Sequence, residues 1–317
     1  AGSAQTFDRK ARLTHKRSGK YACVEERPLV DGFLLGLPKC GTTWLAGVLS
    51  QNPSVDFSSP KEPNILASHH GTFGRDASDP DLDEYGRAFS GNGFRVDGSV
   101  HAFSCPLAPN RVLQINPGAR FVICLREPTE RAFSHWKMVR DNMADRRHGA
   151  DWSDFETAWG DQRLKDDSIW SASMARWLEG FERESFLIID SKRMRTSPDV
   201  VLGEINSHFG LGEFGYDYLS EKNANTSQGR RRVTTLGRVF KSAVRILPKS
   251  VRGVLAKPLQ KRSLNIYDLP LISRKGEDSL LTKGHYQICE GEVVPDLEKF
   301  EELTGFSTGH WLEAFER

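Results

Sequence analysis

A strand, a tight loop and a helix start follow one another between residues 33 and 44, and this order constrains the fold more than any other feature of the chain. The strand is the apolar run 33–35, and the loop contains Gly36, Lys39 and Gly41. In such a loop, backbone N–H groups point at anionic oxygens, the helix N-terminus adds partial positive charge, and a lysine adds a point charge. The sequence therefore predicts a phosphate-binding loop.

The loop differs from that of nucleotide hydrolases. Those loops read G-x-x-x-x-G-K-[ST], with the lysine beside the second glycine and a hydroxyl that holds Mg²⁺. Gly36 and Gly41 have the right separation, but Thr42 takes the place of the lysine, and Lys39 lies three residues earlier. The pattern disfavours metal-dependent phosphoryl transfer and requires no divalent cation. A P-loop kinase acting on a small molecule stays open as the alternative from another enzyme class.

A second strand-to-helix junction predicts another anion site. The apolar run 119–125 suits a buried parallel strand, and Pro128 suits the first turn of the helix that follows. Arg126 is predicted at the carboxyl end of the strand, where ligands of open α/β sheets bind, and Ser134 lies about two helical turns further on. We therefore expect Arg126 and Ser134 to hold one phosphate.

Together the two elements resemble the donor-binding motifs of the sulfotransferase family. The first motif there, the 5′-phosphosulfate loop, usually reads P-K-S-G-T-T-W. The corresponding residues here are Pro38, Lys39, Cys40, Gly41, Thr42, Thr43 and Trp44. The spacing of eight from Arg126 to Ser134 resembles the family's 3′-phosphate site. The resemblance implies 3′-phosphoadenosine 5′-phosphosulfate (PAPS) as co-substrate and no metal.

Two of these residues have expected roles beyond phosphate contact. A fixed ammonium at Lys39 would stabilise the negative charge that grows on the oxygen between sulfur and the leaving phosphate. Trp44 lies against the adenine face in related enzymes, and ordinary core packing is the equal alternative for its ring.

Sulfuryl transfer to a hydroxyl also needs a group that takes the acceptor's proton. Glu62 lies in Lys61-Glu62-Pro63, which resembles the K-E-P segment of glycosaminoglycan and related bacterial sulfotransferases, where the glutamate is the general base. His101 resembles the position of the catalytic histidine of the cytosolic branch. We expect Glu62 to be the base because its whole tripeptide matches, with His101 sharing the work or orienting the acceptor. A glutamate base favours an aliphatic alcohol, in a carbohydrate, glycolipid or natural product, over a phenol.

Length and composition fit one large enzyme domain. With 317 residues, 38% hydrophobic and 27% charged, the chain can bury a substantial core. We predict a single sulfotransferase domain over residues 1–317, with an α/β, P-loop-like three-layer fold in which helices flank a central parallel sheet. Apolar runs and helical periodicity predict strands at 29–36, 55–57, 94–98, 119–125 and 185–190 and helices at 42–51, 106–114, 170–182 and 199–209. The stretch 71–93 is predicted to be a loop with a short helix.

A basic stretch runs from the end of the family resemblance into residues 233–275, which have no counterpart in it. Twelve of the 44 Lys and Arg residues lie between Lys222 and Tyr267, and no Asp or Glu does. We predict a basic helical insertion or lid at about 228–275. The run that begins at Gly229 and Arg230 closes over the donor's 3′-phosphate in one interpretation. In a second interpretation, residues 230–262 contact an anionic membrane or acceptor. In a third, the segment is a helix that packs on the core and has a solvated basic face.

Compartment and partners are less constrained. No apolar stretch approaches the ~18 residues that cross a bilayer, no signal-peptide pattern is present, and the five cysteines lack metal spacing. We expect a reducing, cytoplasmic setting; a sequon at Asn225 keeps a lumenal catalytic domain with its anchor removed as the alternative. The expected partner is a small-molecule, lipid or carbohydrate acceptor and not nucleic acid. A nucleotide- or membrane-binding module without turnover is the non-enzymatic alternative.

Overall fold

The chain folds around a five-stranded parallel sheet. The computed structural model describes residues 27–217, 231–233, 273–275 and 279–316. The strands of the sheet are β1 (Gly32–Gly36), β2 (Val55–Phe57), β5 (Phe94–Asp97), β6 (Arg120–Leu125) and β7 (Phe186–Asp190). Their order across the sheet is β2-β5-β1-β6-β7, and every pairing is parallel. Two antiparallel pairs lie outside the sheet: β3 (His69–His70) with β4 (Gly74–Arg75), and β8 (Arg231–Val233) with β9 (Ser273–Lys275).

Helices connect the strands and flank the sheet. In the first half of the chain they are α1 (Thr42–Leu49), α2 (Leu82–Gly86), α3 (Ala108–Ile115), α4 (Pro128–Asn142), α5 (Ala144–Arg147), α6 (Phe155–Trp159) and α7 (Gln162–Asp166). In the second half they are α8 (Ser171–Leu178), α9 (Arg193–Thr196), α10 (Pro198–Phe209), α11 (Lys283–Thr304) and α12 (Gly309–Glu316). A 3₁₀ turn, Val100–Ala102, follows β5. Within the described ranges, no helix is both long enough and apolar enough to span a bilayer.

The centre of the sheet is buried because its strands are apolar along their whole length. All five residues of β1 and residues 121–125 of β6 are buried, as continuous apolar runs are in a sheet that is covered on both faces. The rings of Phe33 on β1 and Phe121 on β6 stack with centroids 5.5 Å apart. This central pair of strands therefore forms the base of the core.

The C-terminal helices pack on the same core. The carboxylate of Asp296 on α11 accepts hydrogen bonds from the backbone N–H groups of Trp170 and Ser171 and from the Ser171 hydroxyl, at 2.6, 3.0 and 2.5 Å. The Trp170 ring also meets Phe300 and Trp311 edge-on, at 5.7 and 5.6 Å. A buried carboxylate on α11 thus holds this helix against the start of α8.

The predicted fold class is confirmed, and most predicted elements are present with somewhat shorter bounds. The first strand begins at Gly32 instead of residue 29, and the helix predicted over 170–182 ends at Leu178. The stretch 71–93 contains α2 as expected, but it also contributes β4 to a small hairpin. The predicted lid residues Gly229 and Arg230, and the helix predicted further along the same segment, lie outside the described residues.

Candidate active site

The end of β1 and the loop after it contain two glycines with positive φ. Gly36 has φ +140°, and a Cβ atom there would lie 2.6 Å from the carbonyl oxygen of Cys124 on β6. Gly41 has φ +86° and is the N-cap of α1. The first glycine lets the end of β1 lie directly against β6, and the second turns the chain into the helix.

The geometry between these glycines suits an anionic oxygen. Lys39 adopts φ 82°, a left-handed conformation that costs a non-glycine residue on the order of 1 kcal/mol. The Cys40 N–H donates to the Leu37 carbonyl at 3.2 Å and closes the turn. The first turn of α1 has no side-chain cap and no acidic residue, so no side chain there neutralises the partial positive charge of its first N–H groups. These features fit the 5′ end of a nucleotide donor.

The remaining loop residues divide into buried and exposed ones. Cys40 is fully buried, and burial raises the pKa of its thiol to about 12 against the opposing effect of two nearby cations, Arg131 and Arg126. It therefore packs as a neutral thiol. Thr42 is buried, Thr43 is exposed, and Trp44 is half-buried against the core.

Lys61 links the candidate base to this loop. Its ammonium pairs with the Glu62 carboxylate at 2.8 Å and also lies 3.5 Å from the Thr42 hydroxyl and 3.5 Å from the Gly98 carbonyl. About a third of the Glu62 side chain is exposed, so the carboxylate is open to a ligand. Through Lys61, Glu62 is thus connected to the start of α1.

His101 lies deeper than Glu62. It is 6% exposed within the 3₁₀ turn after β5, and its Nδ1 lies 3.9 Å from a carboxylate oxygen of Asp167. The start of this turn is fixed by Asp97, which accepts hydrogen bonds from the Ser99 N–H and the Tyr85 hydroxyl, both at 2.7 Å. Burial raises the pKa of Asp97. His101 is therefore placed to hold neighbouring side chains of the site, and little of its ring is open to solvent.

The second predicted anion site lies next to the first. Because Gly36 pairs with Cys124, the chain leaves β1 and β6 at the same edge of the sheet. Arg126 follows β6 directly, and its Nε and one terminal nitrogen donate to the same Glu130 oxygen at 3.0 and 2.7 Å. Ser134 is buried on α4, two turns into the helix. Arg126 also contributes to the electrostatic environment of Cys40, which places both junctions in one region.

Three residues of this region were not predicted from the sequence. They are Lys61, which connects Glu62 to the loop, and two buried charged residues, Arg131 and Asp167. The available signal was an arginine on the apolar face of α4, beside Ala132 and one turn before His135. A charged residue at such a position is rarely buried without a specific partner.

The acidic residues around the site do not form a metal centre. Across residues 27–217 and 279–316, no group of three or more His, Cys, Asp or Glu side chains is arranged to hold a metal ion.

A parallel sheet whose central strand ends in an uncapped helix start, with an arginine at the end of the neighbouring strand, is typical of an enzyme that binds a phosphorylated nucleotide. Residues 30–214 match the family model described as "Sulfotransferase domain". The match covers more than half of the chain, and the chain therefore belongs to the sulfotransferase family. Membership confirms the expected chemistry, transfer of a sulfuryl group with PAPS as donor, over the kinase alternative.

Known relatives support the same family. The bifunctional heparan sulfate N-deacetylase/N-sulfotransferase 1 of Caenorhabditis elegans is 23% identical over 200 residues, covering 61% of this chain and 23% of that protein. The human type 3 enzyme of the same name is 26% identical over 194 residues, covering 56% and 22%. The chain thus spans about a quarter of the length of these curated relatives. A sulfotransferase structure from Alicyclobacillus acidocaldarius has the same fold, with a TM-score of 0.55, 18% identity, and coverage of 89% of this chain and 98% of that one.

A buried carboxylate at the start of α4 predicts a pH-dependent stability. Glu127 accepts hydrogen bonds from the N–H groups of Thr129 and Glu130, yet burial raises its pKa from 4.5 to about 7. The folded state then holds this proton more tightly than the unfolded chain does, so stability is lost as pH rises through this window. We expect Glu127→Gln to reduce the fall in the free energy of unfolding between pH 5 and pH 8 by on the order of 2 kcal/mol.

Urea unfolding of both proteins at the two pH values measures this difference. Glu84→Gln serves as the control, because Glu84 is an exposed carboxylate in the first turn of another helix. The control should keep the full pH-dependent fall. An equal fall in Glu127→Gln and in the unaltered protein would show that Glu127 does not cause it.

Proposed function

We propose that this chain transfers the sulfuryl group of PAPS to an aliphatic hydroxyl of a carbohydrate, glycolipid or natural product, with Glu62 as general base. The observation that carries the proposal is the position of Lys61, whose ammonium contacts both Glu62 and Thr42. One side chain thus joins the proposed proton acceptor to the loop proposed to hold the reacting sulfuryl group. This contact favours Glu62 over His101, which is buried and lies beside Asp167.

The donor is proposed to lie across the two strand ends. Its 5′-phosphosulfate is held by Lys39 and by the N–H groups at the start of α1, with the rest of the loop as the cradle. The loop residues assigned to it are Pro38, Lys39, Cys40, Gly41, Thr42 and Thr43. Arg126 and Ser134 hold the 3′-phosphate, and the half-buried ring of Trp44 is assigned to the adenine. The position of Ser134 supports its assignment, because it lies on α4, the helix that begins two residues after Arg126.

Each proposed catalytic residue then has one task. PAPS supplies an activated sulfuryl group on a good leaving phosphate. Lys39 stabilises the negative charge on the leaving oxygen, which is larger in the transition state than in the ground state. Glu62 takes the proton of the acceptor hydroxyl as the oxygen attacks. His101, which is buried next to this site, helps to orient the acceptor.

The role of Glu62 is tested by Glu62→Gln, which keeps the size of the side chain and removes its basicity. We expect turnover to fall by about 10²–10⁴-fold, the range for loss of a general base, while adenosine 3′,5′-bisphosphate (PAP) binds within about twofold of the unaltered affinity. Turnover is followed with ³⁵S-labelled PAPS and an acceptor that the unaltered enzyme labels. PAP affinity is measured by calorimetry.

Two further variants complete this test. Glu84→Gln, an exposed carboxylate on α2, should leave both quantities unchanged. Near-normal turnover in Glu62→Gln, together with a large loss in His101→Asn, would transfer the role of base to His101.

The acceptor class is tested by incubating the enzyme with labelled PAPS and a panel of acceptors. The panel contains neutral oligosaccharides, glycolipids, hydroxylated natural products and N-desulfated heparan sulfate. We expect label on oxygen. The relatives are named as N-sulfotransferases, and this favours an amino group as the second candidate; label on nitrogen alone would contradict the hydroxyl assignment. Tight PAP binding with no labelled product from any acceptor would indicate a binding module without turnover.

We also propose that residues 1–317 form a single sulfotransferase domain that carries a basic lid. The contacts of Asp296 and Trp170 support one domain, because they join the C-terminal helices to the segment that the family model covers. The lid is the basic segment 228–275, with Gly229 and Arg230 assigned to the donor's 3′-phosphate. The lid proposal is supported by the concentration of twelve Lys and Arg residues between Lys222 and Tyr267. A membrane contact through 230–262 is the competing assignment.

The two assignments of the basic segment predict different results for Arg230→Gln. As part of a lid, this change should weaken PAP binding by about three- to tenfold, as expected for one lost hydrogen bond of typical net strength. Sedimentation with phosphatidylcholine vesicles, with and without phosphatidylserine, should then show no lipid-dependent binding. Unchanged PAP affinity together with sedimentation on the anionic vesicles alone would support the membrane contact instead.

The compartment is proposed to be the cytoplasm. Four cysteines, Cys40, Cys105, Cys124 and Cys289, are buried as free thiols in the described part of the chain. Free buried thiols are usual in reducing compartments. Thiol counting under denaturing conditions on protein taken directly from its source would contradict the proposal if Cys40 or Cys124 were found in a disulfide.

A further inference from the structure

Arg131 is a fully buried arginine on the core side of α4. One terminal nitrogen donates to the Pro38 carbonyl at 3.4 Å and to His135 Nδ1 at 3.0 Å. The other donates to the Ser168 hydroxyl at 2.6 Å and to the Leu164 carbonyl at 3.2 Å. A single side chain therefore connects three parts of the chain: the loop after β1, helix α4, and helix α7 with the residues directly after it.

The surroundings of Arg131 do not suggest a role in stability alone. Burial lowers its pKa, and Asp167 is the nearby carboxylate that opposes this effect. Its Nε and one Asp167 oxygen have no hydrogen-bond partner among the described residues. Burying a charged side chain costs free energy that a well-packed apolar residue of the same volume does not cost. An apolar residue would satisfy the packing of α4, so the guanidinium is better explained by the geometry that it enforces.

That geometry concerns the peptide group between Pro38 and Lys39. In a trans peptide, the carbonyl and the following N–H point in opposite directions. Because Arg131 holds the Pro38 carbonyl toward the core, the Lys39 N–H is turned away from the core, toward the side on which the donor's 5′ end is proposed to bind. The same contact supports the left-handed backbone of Lys39, whose φ is 82°.

We propose that Arg131 is a positioning residue for the sulfuryl donor. It fixes the orientation of the Pro38–Lys39 peptide and sets the distance from that peptide to α4, which carries Ser134. Arg131 itself touches no part of the donor. This inference rests on the proposed function, because it assumes that the 5′ end of the donor lies at Lys39 and its 3′-phosphate at Arg126 and Ser134.

The proposal predicts a loss of affinity that is confined to the 5′ end. PAP carries both phosphates, whereas adenosine 3′-phosphate (3′-AMP) carries only the one assigned to α4. The ratio of their dissociation constants, 3′-AMP over PAP, therefore measures what the loop contributes. We expect Arg131→Met, which keeps an unbranched side chain but cannot hold the Pro38 carbonyl, to lower this ratio by about tenfold, or about 1.4 kcal/mol, mostly through weaker PAP binding.

A control variant separates positioning from general destabilisation. Val139→Ala creates a small cavity on the buried face of the same helix, away from the Pro38 carbonyl. We expect Val139→Ala to lower the melting temperature and to leave the ratio within about twofold of the unaltered value. Calorimetry with PAP and 3′-AMP, with a thermal melt of each variant, gives both quantities.

The outcomes distinguish this inference from the proposed function. If Arg131→Met weakens PAP and 3′-AMP equally, or changes neither, the positioning role is wrong and the proposed function stands. If the unaltered protein binds PAP no better than 3′-AMP, the assignment of the loop to the donor's 5′ end fails, and the inference fails with it. If Arg131→Met does not melt cooperatively, the ratio is measured on Arg131→Lys, which keeps the charge but not the planar fork. A ratio at least threefold lower supports positioning, and an unchanged ratio overturns it.

Discussion

The parallel pairing of β1 with β6 is the constraint on which the site depends. Gly36 pairs with Cys124, so the chain leaves both strands at one edge of the sheet, and the loop at Lys39 comes to lie beside Arg126. The ends of β1 and β6 lie so close together that a Cβ atom on Gly36 would be 2.6 Å from the Cys124 carbonyl oxygen. Two junctions that are far apart in sequence can therefore act on one ligand, because the sheet fixes the separation between their anion-binding groups.

Arg131, His135 and Thr72 form a largely buried network of hydrogen bonds next to the loop after β1. Arg131 can only donate hydrogen bonds, so its contact at His135 Nδ1 requires that nitrogen to be unprotonated. The proton of the neutral imidazole is then on Nε2, which donates to the Thr72 hydroxyl at 2.8 Å. Burial and the charge of Arg131 lower the pKa of His135 and keep the ring neutral. The network thus has one defined proton arrangement, and it ties α4 to the hairpin of β3 and β4.

Sequence reasoning predicted the parts of this architecture that are local. The apolar runs of β1 and β6, the glycine-flanked loop and Pro128 at the start of α4 each carry their signal within a few residues. The connections between elements were not predictable in the same way. That Lys61 contacts Thr42 depends on how the loop after β2 packs against the start of α1, and periodicity contains no information on such a contact.

Errors in the predicted bounds have a similar origin. The helix after Trp170 was extended to residue 182 because Phe181 continues its apolar period, but the helix ends at Leu178. Phe181 is buried beyond the helix end, where its ring meets Phe121 at 4.8 Å. Phe181 therefore packs into the core from a segment that is not helical. Its apolar character predicted burial correctly and secondary structure incorrectly, because burial alone does not require a helix.

The pairing of Arg126 with Glu130 bears on how the proposed enzyme would divide its binding energy. The donor and its product share the same 3′-phosphate, so a contact to that group stabilises substrate, transition state and product alike and does not raise turnover. A carboxylate that already holds two nitrogens of Arg126 competes with the phosphate and moderates this uniform binding. At Lys39 the reverse applies, because charge on the leaving oxygen develops only during the reaction. In the proposed mechanism, moderate affinity at the 3′ end therefore allows product release, and the rigid geometry at the 5′ end serves the chemical step.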